Sequence, residues 1–286
     1  MGNLRRLLLK FARILAVIVA ALFALGAYVY LTTPDVRYLR TDPPRSTAFM
    51  DLRARDARVK GETPKRVQQW VPYSRISPHL VRAVLVTEDA KFWQHDGLDY
   101  EQIRESMEIN LERGEFARGA STITQQLAKN LFLSPSKNPL RKVRELLIAR
   151  RLEAELSKRR ILEIYLNVIE WGDGIWGAEA AARTYFGKRA SGLSQPESAL
   201  LAAAIANPRI MNPGAPSARL RRRQQMVMRR MGYVEPPPVI VGGPGEDELG
   251  PPLDPVPQIP PAPGGAPIAL PGQVLPPPKP GGGGRR

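Results

Sequence analysis

An uncharged run near the amino terminus constrains this chain most. No charged residue lies between Arg13 and Asp35, and residues 14–31 are almost wholly apolar. Eighteen helical residues at about 1.5 Å each span about 27 Å, which is close to the roughly 30 Å thickness of a bilayer core. The run therefore predicts one transmembrane helix, within an amino-terminal segment that ends at residue 34.

The residues beside this run predict its orientation. Positive charge precedes it, at Arg5, Arg6, Lys10 and Arg13. Such charge favours a cytoplasmic amino end, so the chain after Asp35 is predicted to lie outside the cytoplasm. A cleaved signal peptide and a buried core helix are the alternatives. The length of the run, and Tyr28 and Tyr30 near its outer end, favour a retained single-pass anchor in the plasma (inner) membrane.

The charge and cysteine content exclude several classes of function. Lys and Arg number 42 against 27 Asp and Glu, and there is no Cys. The missing Cys excludes a disulfide scaffold, Cys-ligated zinc, iron–sulfur ligation and thiol catalysis. Two His are too few for a His-rich metal site. For a basic protein outside the cytoplasm, anionic headgroups or a phosphate-bearing substrate are better partners than nucleic acid.

Composition divides the rest of the chain. Residues 234–286 contain 17 Pro and 11 Gly, so the segment 233–286 is predicted to be a disordered tail, serving as a docking ligand or a spacer. Residues 35–69 are predicted to be an extended linker from the membrane. Residues 70–232 are predicted to be a catalytic domain.

The predicted domain has helical apolar spacing and few strand signals. Ser77-Pro78 is a helix start, and Thr122 with Gln125 fits a capping box. Gly187 is a helix stop. About seven helices with short connections predict a mainly α domain.

The first candidate site is Glu88-Asp89, at the end of a helix whose earlier turns are apolar. Desolvation raises the pKa of a carboxylate at the lip of an apolar surface, which suits a general base or acid. An ordinary solvated helix end is the alternative.

The second candidate is a polar stripe on the helix that follows Gly119. Residues 122, 125 and 129 share one helical face, and 126 and 130 lie on the next strip. The predicted ligand-binding side chains are Ser121, Thr122, Gln125, Gln126, Lys129 and Asn130. An amphipathic helix with a solvated polar face is the alternative.

The third candidate is a basic cluster at a helix start, made of Lys137, Arg141, Lys142 and Arg144 and followed by Glu145. The helix dipole disfavours cations there unless an anion is bound. A salt-bridged surface is the alternative. Together the candidates supply a base for an attacking hydroxyl and positive charge for a pyrophosphate leaving group.

Five motifs in order resemble the peptidoglycan glycosyltransferases, the transglycosylase domain of bifunctional penicillin-binding proteins, and most of all their monofunctional, membrane-anchored form. The motifs are EDAKFWQHDG (88–97), GASTITQQLAKN (119–130), RKVRE (141–145), KRRILEIYLN (158–167) and GIWGAEAAAR (174–183). The resemblance implies a lysozyme-like helical domain with a small membrane-proximal subdomain around residues 98–118. It also implies that lipid II is polymerised, with inversion, into β-1,4-linked glycan as undecaprenyl pyrophosphate is released.

The resemblance also implies residue roles. Glu88 matches the general base, Glu145 a second carboxylate sometimes credited with Mg²⁺ or Mn²⁺, and Lys129 a pyrophosphate-binding lysine. Arg141 and Lys142 match basic residues of the same site, whereas Lys137 replaces the usual Arg and loses its two-pronged contact. The implied partners are lipid II, the growing glycan, the membrane and cell-wall synthesis or division proteins, with no organic cofactor.

Two other functions stay open at this point. A lysozyme-like glycoside hydrolase or lytic enzyme could use the same carboxylates on finished peptidoglycan. A non-catalytic scaffold could recruit partners through its Pro-rich tail.

Overall fold

The computed structural model describes residues 2–114, 119–134 and 139–232. Lys137, the tail 233–286 and residues 115–118 of the predicted subdomain lie outside the described residues. The described helices are α1 (Gly2–Leu31), α2 (Ala48–Val59), α3 (Pro78–Glu88), α4 (Tyr100–Arg113), α5 (Ile123–Phe132), α6 (Pro139–Glu155), α7 (Lys158–Val168), α8 (Ala178–Phe186), α9 (Gln195–Ala204) and α10 (Ala218–Met231). The prediction of a mainly α fold is confirmed.

The core forms where α3 packs against α9 and α10, and where α5 packs against α6 and α7. Helix α3 buries nearly all its apolar residues, with Leu80 and Val84 wholly inaccessible to solvent. Helix α9 supplies small side chains such as Ala199, Ala202 and Ala203, which are also fully buried. Small residues let neighbouring helices approach closely, and close packing retains the dispersion contacts that a void would lose.

The predicted helix ends are built from the predicted side chains. The Ser77 hydroxyl accepts from the backbone N–H of His79, and Thr122 and Gln125 form a complete capping box. Ser157 caps α7 by accepting from the N–H of Arg160. Gly187 ends α8 with φ +64°, in the left-handed region that glycine enters without a steric cost.

A small three-stranded sheet joins the helices. It contains β1 (Val67–Gln68), β2 (Glu170–Gly172) and β3 (Ile175–Trp176) in the order β1-β3-β2. Strand β1 is parallel to β3, and β2 is antiparallel to it. The sheet fastens the segment before α3 to the end of α7.

Asn167, at the end of α7, makes the adjoining connection. Its Oδ1 accepts from the N–H of Val71 at 2.9 Å, and its Nδ2 donates to the carbonyls of Val71 at 2.9 Å and Glu163 at 2.8 Å. Gly177 lies against the backbone here with φ +83°, and a Cβ at that position would lie 2.6 Å from the Asn167 carbonyl oxygen. Both residues therefore have structural roles.

The expectation of an extended linker over residues 35–69 was wrong. That segment contains α2, which begins where the side chain of Thr47 accepts from the N–H of Met50. Helix α2 packs against α5 and buries Met50. The apolar residues of α2 are sparse because only one narrow edge of the helix reaches the core.

Helix α1 contains a stretch, Leu8–Leu31, that is long and apolar enough to cross a membrane, with a mean hydropathy of 2.5. It fits a single-pass anchor. The segment directly after α1 contacts α6, where the Arg144 guanidinium donates to Thr32 Oγ1 at 2.7 Å and Arg151 donates to the Thr33 carbonyl at 3.0 Å. Arg151 also lies over the ring of Tyr30.

Helix α4 lies in the predicted membrane-proximal subdomain. It begins at Asp99, whose side chain accepts from the N–H of Gln102. Three large apolar side chains of α4 are exposed: Tyr100, Met107 and Leu111. An apolar surface that faces outward suits contact with a membrane, and that contact stays a prediction.

We predict that Asn167→Ala lowers the free energy of unfolding by about 2–4 kcal/mol, because it leaves the buried N–H and C=O of Val71 without partners. Urea denaturation of the detergent-solubilised full chain measures the change. Gln225→Ala, on the exposed face of α10, is the control and should change stability by less than about 0.5 kcal/mol. Equal stability of the two variants would contradict the role given to Asn167.

Candidate active site

A groove of about 710 Å³ opens beside the end of α3. Its walls come from α3, from α5 and the segment before it, and from α4 and α10. They include Glu88, Ser121, Gln126, Gln102 and Arg230. A carboxylate, a hydroxyl, two amides and a guanidinium therefore face one cavity.

Glu88 is the last residue of α3, and its carboxylate is held from one side. Gln126 Nε2 donates to Glu88 Oε2 at 2.9 Å. Desolvation raises the pKa of Glu88, whereas the Gln126 hydrogen bond and the charges of Arg223 and Lys129 lower it. Because desolvation outweighs these opposing effects, the ionised carboxylate is a better proton acceptor than one in water.

Asp89 has a structural role beside Glu88. Its buried carboxylate accepts from the N–H of Ile123 at 2.9 Å and lies 3.0 Å from His95 Nε2. Since Ile123 is the first residue of α5, this contact joins the start of α5 to the end of α3. Glu88 and Gln126 meet because of that junction.

The polar stripe of α5 divides between groove and interior. Ser121 and Gln126 line the groove, and Asn130 donates to the Gln126 carbonyl at 2.8 Å. The predicted ligand-binding side chains of Thr122 and Gln125 are instead buried in the cap of α5, where Thr122 Oγ1 donates to the Gly97 carbonyl at 2.7 Å. The structure does not bring these two side chains to the groove, because the capping box already satisfies them.

Lys129 links the two predicted acidic sites. It is partly buried, and desolvation lowers its pKa, with Arg141 and Lys142 acting in the same direction. The charges of Glu145 and Glu88 oppose that shift. One ammonium group thus lies within electrostatic range of both carboxylates.

Glu145 lies within the predicted basic cluster and is buried. The Arg141 guanidinium contacts one of its oxygens at 2.9 Å, and the Lys142 ammonium contacts the other. The described residues include no group of three or more His, Asp or Glu that could hold a metal ion. Since both oxygens of Glu145 already bind cations, this carboxylate does not fit a divalent cation, and we derive no step of the reaction from one.

Four groups around the site were not predicted from the sequence. Phe49 of α2 lies under Lys129, with 5.9 Å from Nζ to the ring centroid. Tyr165 of α7 contacts Gln126, and Arg223 and Arg230 of α10 lie near Glu88. The arginines of α10, taken alone, predict a solvated or headgroup-facing surface. Only the lack of acidic residues in α10 gave a signal.

We predict that Glu88→Gln is more stable than the wild type at pH 7. Because the folded-state pKa of Glu88 is raised, its ionisation costs stability as the pH rises through that pKa. Glutamine keeps the shape without the charge. The difference should vanish below pH 4.5, the unshifted value, where Glu88 is protonated in both states. Urea denaturation at several pH values measures the difference in stability. A variant less stable than the wild type at pH 7 would contradict the claim that burial raises the pKa of Glu88.

Comparison with known proteins agrees with this geometry. A family model described as transglycosylase matches residues 56–232. The chain is similar to the biosynthetic peptidoglycan transglycosylase of Chromobacterium violaceum, with 46% identity over 79% of this chain and 97% of that protein. The protein of the same name from Laribacter hongkongensis is 48% identical over 77% of this chain and 96% of its own length.

A third relative of that name, from Nitrosomonas eutropha, is 50% identical over 68% of this chain and 80% of its own length. The transglycosylase domain is lysozyme-like, as the motifs implied. The residues of the groove and of the basic cluster lie inside the matched segment, and the chain belongs to the transglycosylase family.

Proposed function

We propose that this enzyme polymerises lipid II into β-1,4-linked glycan strands for the cell wall and releases undecaprenyl pyrophosphate. One observation carries the proposal. The Lys129 ammonium lies within electrostatic range of the desolvated carboxylate of Glu88 and of Glu145, which is itself ion-paired with Arg141 and Lys142. Sugar transfer from a pyrophosphate needs a proton acceptor and, beside it, positive charge for the leaving group.

Glu88 is the proposed general base. Its ionised carboxylate takes the proton of the acceptor 4-hydroxyl as that oxygen attacks the anomeric carbon of the donor sugar. The bond from that carbon to the pyrophosphate oxygen breaks, and the pyrophosphate leaves with the electron pair. Attack from the face opposite the leaving group inverts the anomeric centre. The desolvated setting of Glu88 supports this role because it raises basicity.

The leaving pyrophosphate is the proposed ligand of Lys129, Arg141 and Lys142. Their charges stabilise the negative charge that develops on the departing oxygens. The proposed role of Glu145 is to position these cations, because its ion pairs with Arg141 and Lys142 hold their side chains in place. For the same step, the role of Lys137 stays a prediction.

The membrane anchor supports a lipid-linked substrate. Arg144, next to Glu145 on α6, contacts Thr32 and lies over the ring of Tyr28 at the outer end of α1. The cationic cluster is therefore within about one helical turn of the anchor's end, where the phosphate of a membrane-bound lipid would be within its reach. The proposed orientation has the amino terminus in the cytoplasm and the domain outside it.

A hydrolase acting on finished glycan fits less well. A hydrolase that follows the common two-carboxylate mechanism needs a second carboxylate facing the sugar. Asp89 is buried and bonded to His95 and Ile123, and Glu145 is paired with two cations. Neither is available as a nucleophile or as a base for water.

We predict that Glu88→Gln reduces polymerisation of purified lipid II by about 10²–10⁴-fold, because the base is lost. Glu145→Gln and Lys129→Ala should also lower the rate, since each weakens the charge set against the leaving group. Gel analysis of the glycan products from the detergent-solubilised full chain measures all three. Glu62→Gln, at an exposed residue distant from the groove, is the matched control and should keep the wild-type rate.

Wild-type turnover by Glu88→Gln would contradict the proposal. Incubating the wild type with purified sacculi and no lipid II tests the hydrolase directly. Only a hydrolase would release soluble muropeptides in that experiment. The polymerase proposal expects none.

A further inference from the structure

Gln126 connects Glu88 to the buried interior of the domain. Its Nε2 donates to Glu88 Oε2 at 2.9 Å, and its Oε1 accepts from the hydroxyl of Tyr165 at 2.9 Å. Gln126 is partly buried, and Tyr165, on α7, is fully buried. Three side chains from three helices thus form one chain of hydrogen bonds that ends at the groove.

The direction of these hydrogen bonds follows from the chemistry of the groups. An ionised carboxylate only accepts hydrogen bonds, so the group facing Glu88 must be the amide NH₂. The amide oxygen then points the other way, into the interior, and needs a donor there. Burial, together with the charges of Glu88 and Asp89, raises the pKa of Tyr165 well above its usual range. Its hydroxyl therefore keeps its proton and remains a donor at every working pH.

We propose that Tyr165 is a positioning residue: its hydroxyl fixes the Gln126 amide so that the NH₂ group faces Oε2 of Glu88. Glu88 Oε1 is then left for the acceptor hydroxyl. Tyr165 acts through Gln126 and touches no substrate. The inference rests on the proposed function, because the position of Gln126 matters for catalysis only if Glu88 is the general base.

Other charged groups also shift the pKa of Glu88, and a test of Tyr165 must leave them unchanged. Asp89 directly follows α3, Lys129 comes from α5, and Arg223 comes from α10. Arg230 of α10 lines the same groove. A change confined to the Tyr165 hydroxyl leaves all four in place, so its effect on Glu88 reports the hydrogen-bond chain alone.

The test is Tyr165→Phe in the full chain in detergent. Without its donor, the amide of Gln126 can rotate or swing away, and the ionised form of Glu88 loses support. We expect the titration midpoint of Glu88 to rise by about one pH unit. Carboxyl ¹³C NMR measures it, the signal being assigned by its loss in Glu88→Gln. The acid limb of the polymerisation rate should move in the same direction. An unmoved midpoint in the folded variant overturns the inference.

Two controls separate positioning from a general loss of packing. Tyr185→Phe removes another hydroxyl, that of Tyr185 in α8, which donates to the Trp171 carbonyl at 3.2 Å. This variant should leave the midpoint of Glu88 unchanged. In a Gln126→Leu background, Tyr165→Phe should cause no further shift, because the connection is already broken. A full further shift there would show that Tyr165 acts by another route and would overturn the inference.

A second substitution covers the case in which Tyr165→Phe does not fold. Placing 3-fluorotyrosine at position 165 keeps the ring and the hydroxyl but makes the hydroxyl a stronger donor. The polarised amide then donates better to Glu88, so the midpoint should move to lower pH. A midpoint that stays or rises overturns the inference. The midpoints could shift as expected while the acid limb of the polymerisation rate stays where it is. That result would support the positioning role and contradict the role of Glu88 as base.

Discussion

The site depends on the contact between Asp89 and the first turn of α5. A buried carboxylate that accepts from a backbone N–H and from an imidazole is strongly held, and it joins the end of α3 to the start of α5. Glu88 is the neighbour of Asp89, and Gln126 is one helical turn into α5, so this junction brings them together. Moving α5 by a few ångströms would separate Glu88 from its hydrogen-bond donor without disturbing either helix.

Charge balance explains how a strongly basic domain accommodates buried acids. Glu145 is neutralised by Arg141 and Lys142 on its own helix. Glu88 has no ion pair as close among the residues that the structure describes, and its pKa stays raised. Lys129 lies between the two environments and has its own pKa lowered by desolvation. An incoming pyrophosphate would offset the excess positive charge. The repulsion among these cations, which destabilises the empty site, would therefore fall when the pyrophosphate binds.

Local features were predictable from the sequence and distant contacts were not. Ser77, Thr122 and Gly187 mark helix ends because capping depends on neighbouring residues. The same capping box keeps the side chains of Thr122 and Gln125 buried at the start of α5, so these two do not reach the groove as their helical spacing predicts. Tyr165 and Phe49 reach the site from α7 and α2 through tertiary packing, which no spacing rule reveals. Helix α2 was missed because only a narrow edge of it is apolar.

The central claim is that Glu88 and the cations around Lys129 serve one substrate in one groove. A crystal structure of the chain with a lipid II analogue whose sugar–pyrophosphate bond cannot be cleaved tests it most directly. The account predicts that the pyrophosphate contacts Lys129 and Arg141 while Glu88 faces the anomeric carbon from the side where the acceptor hydroxyl would enter. A pyrophosphate bound away from Lys129, or an anomeric carbon out of reach of the Glu88 groove, would contradict it.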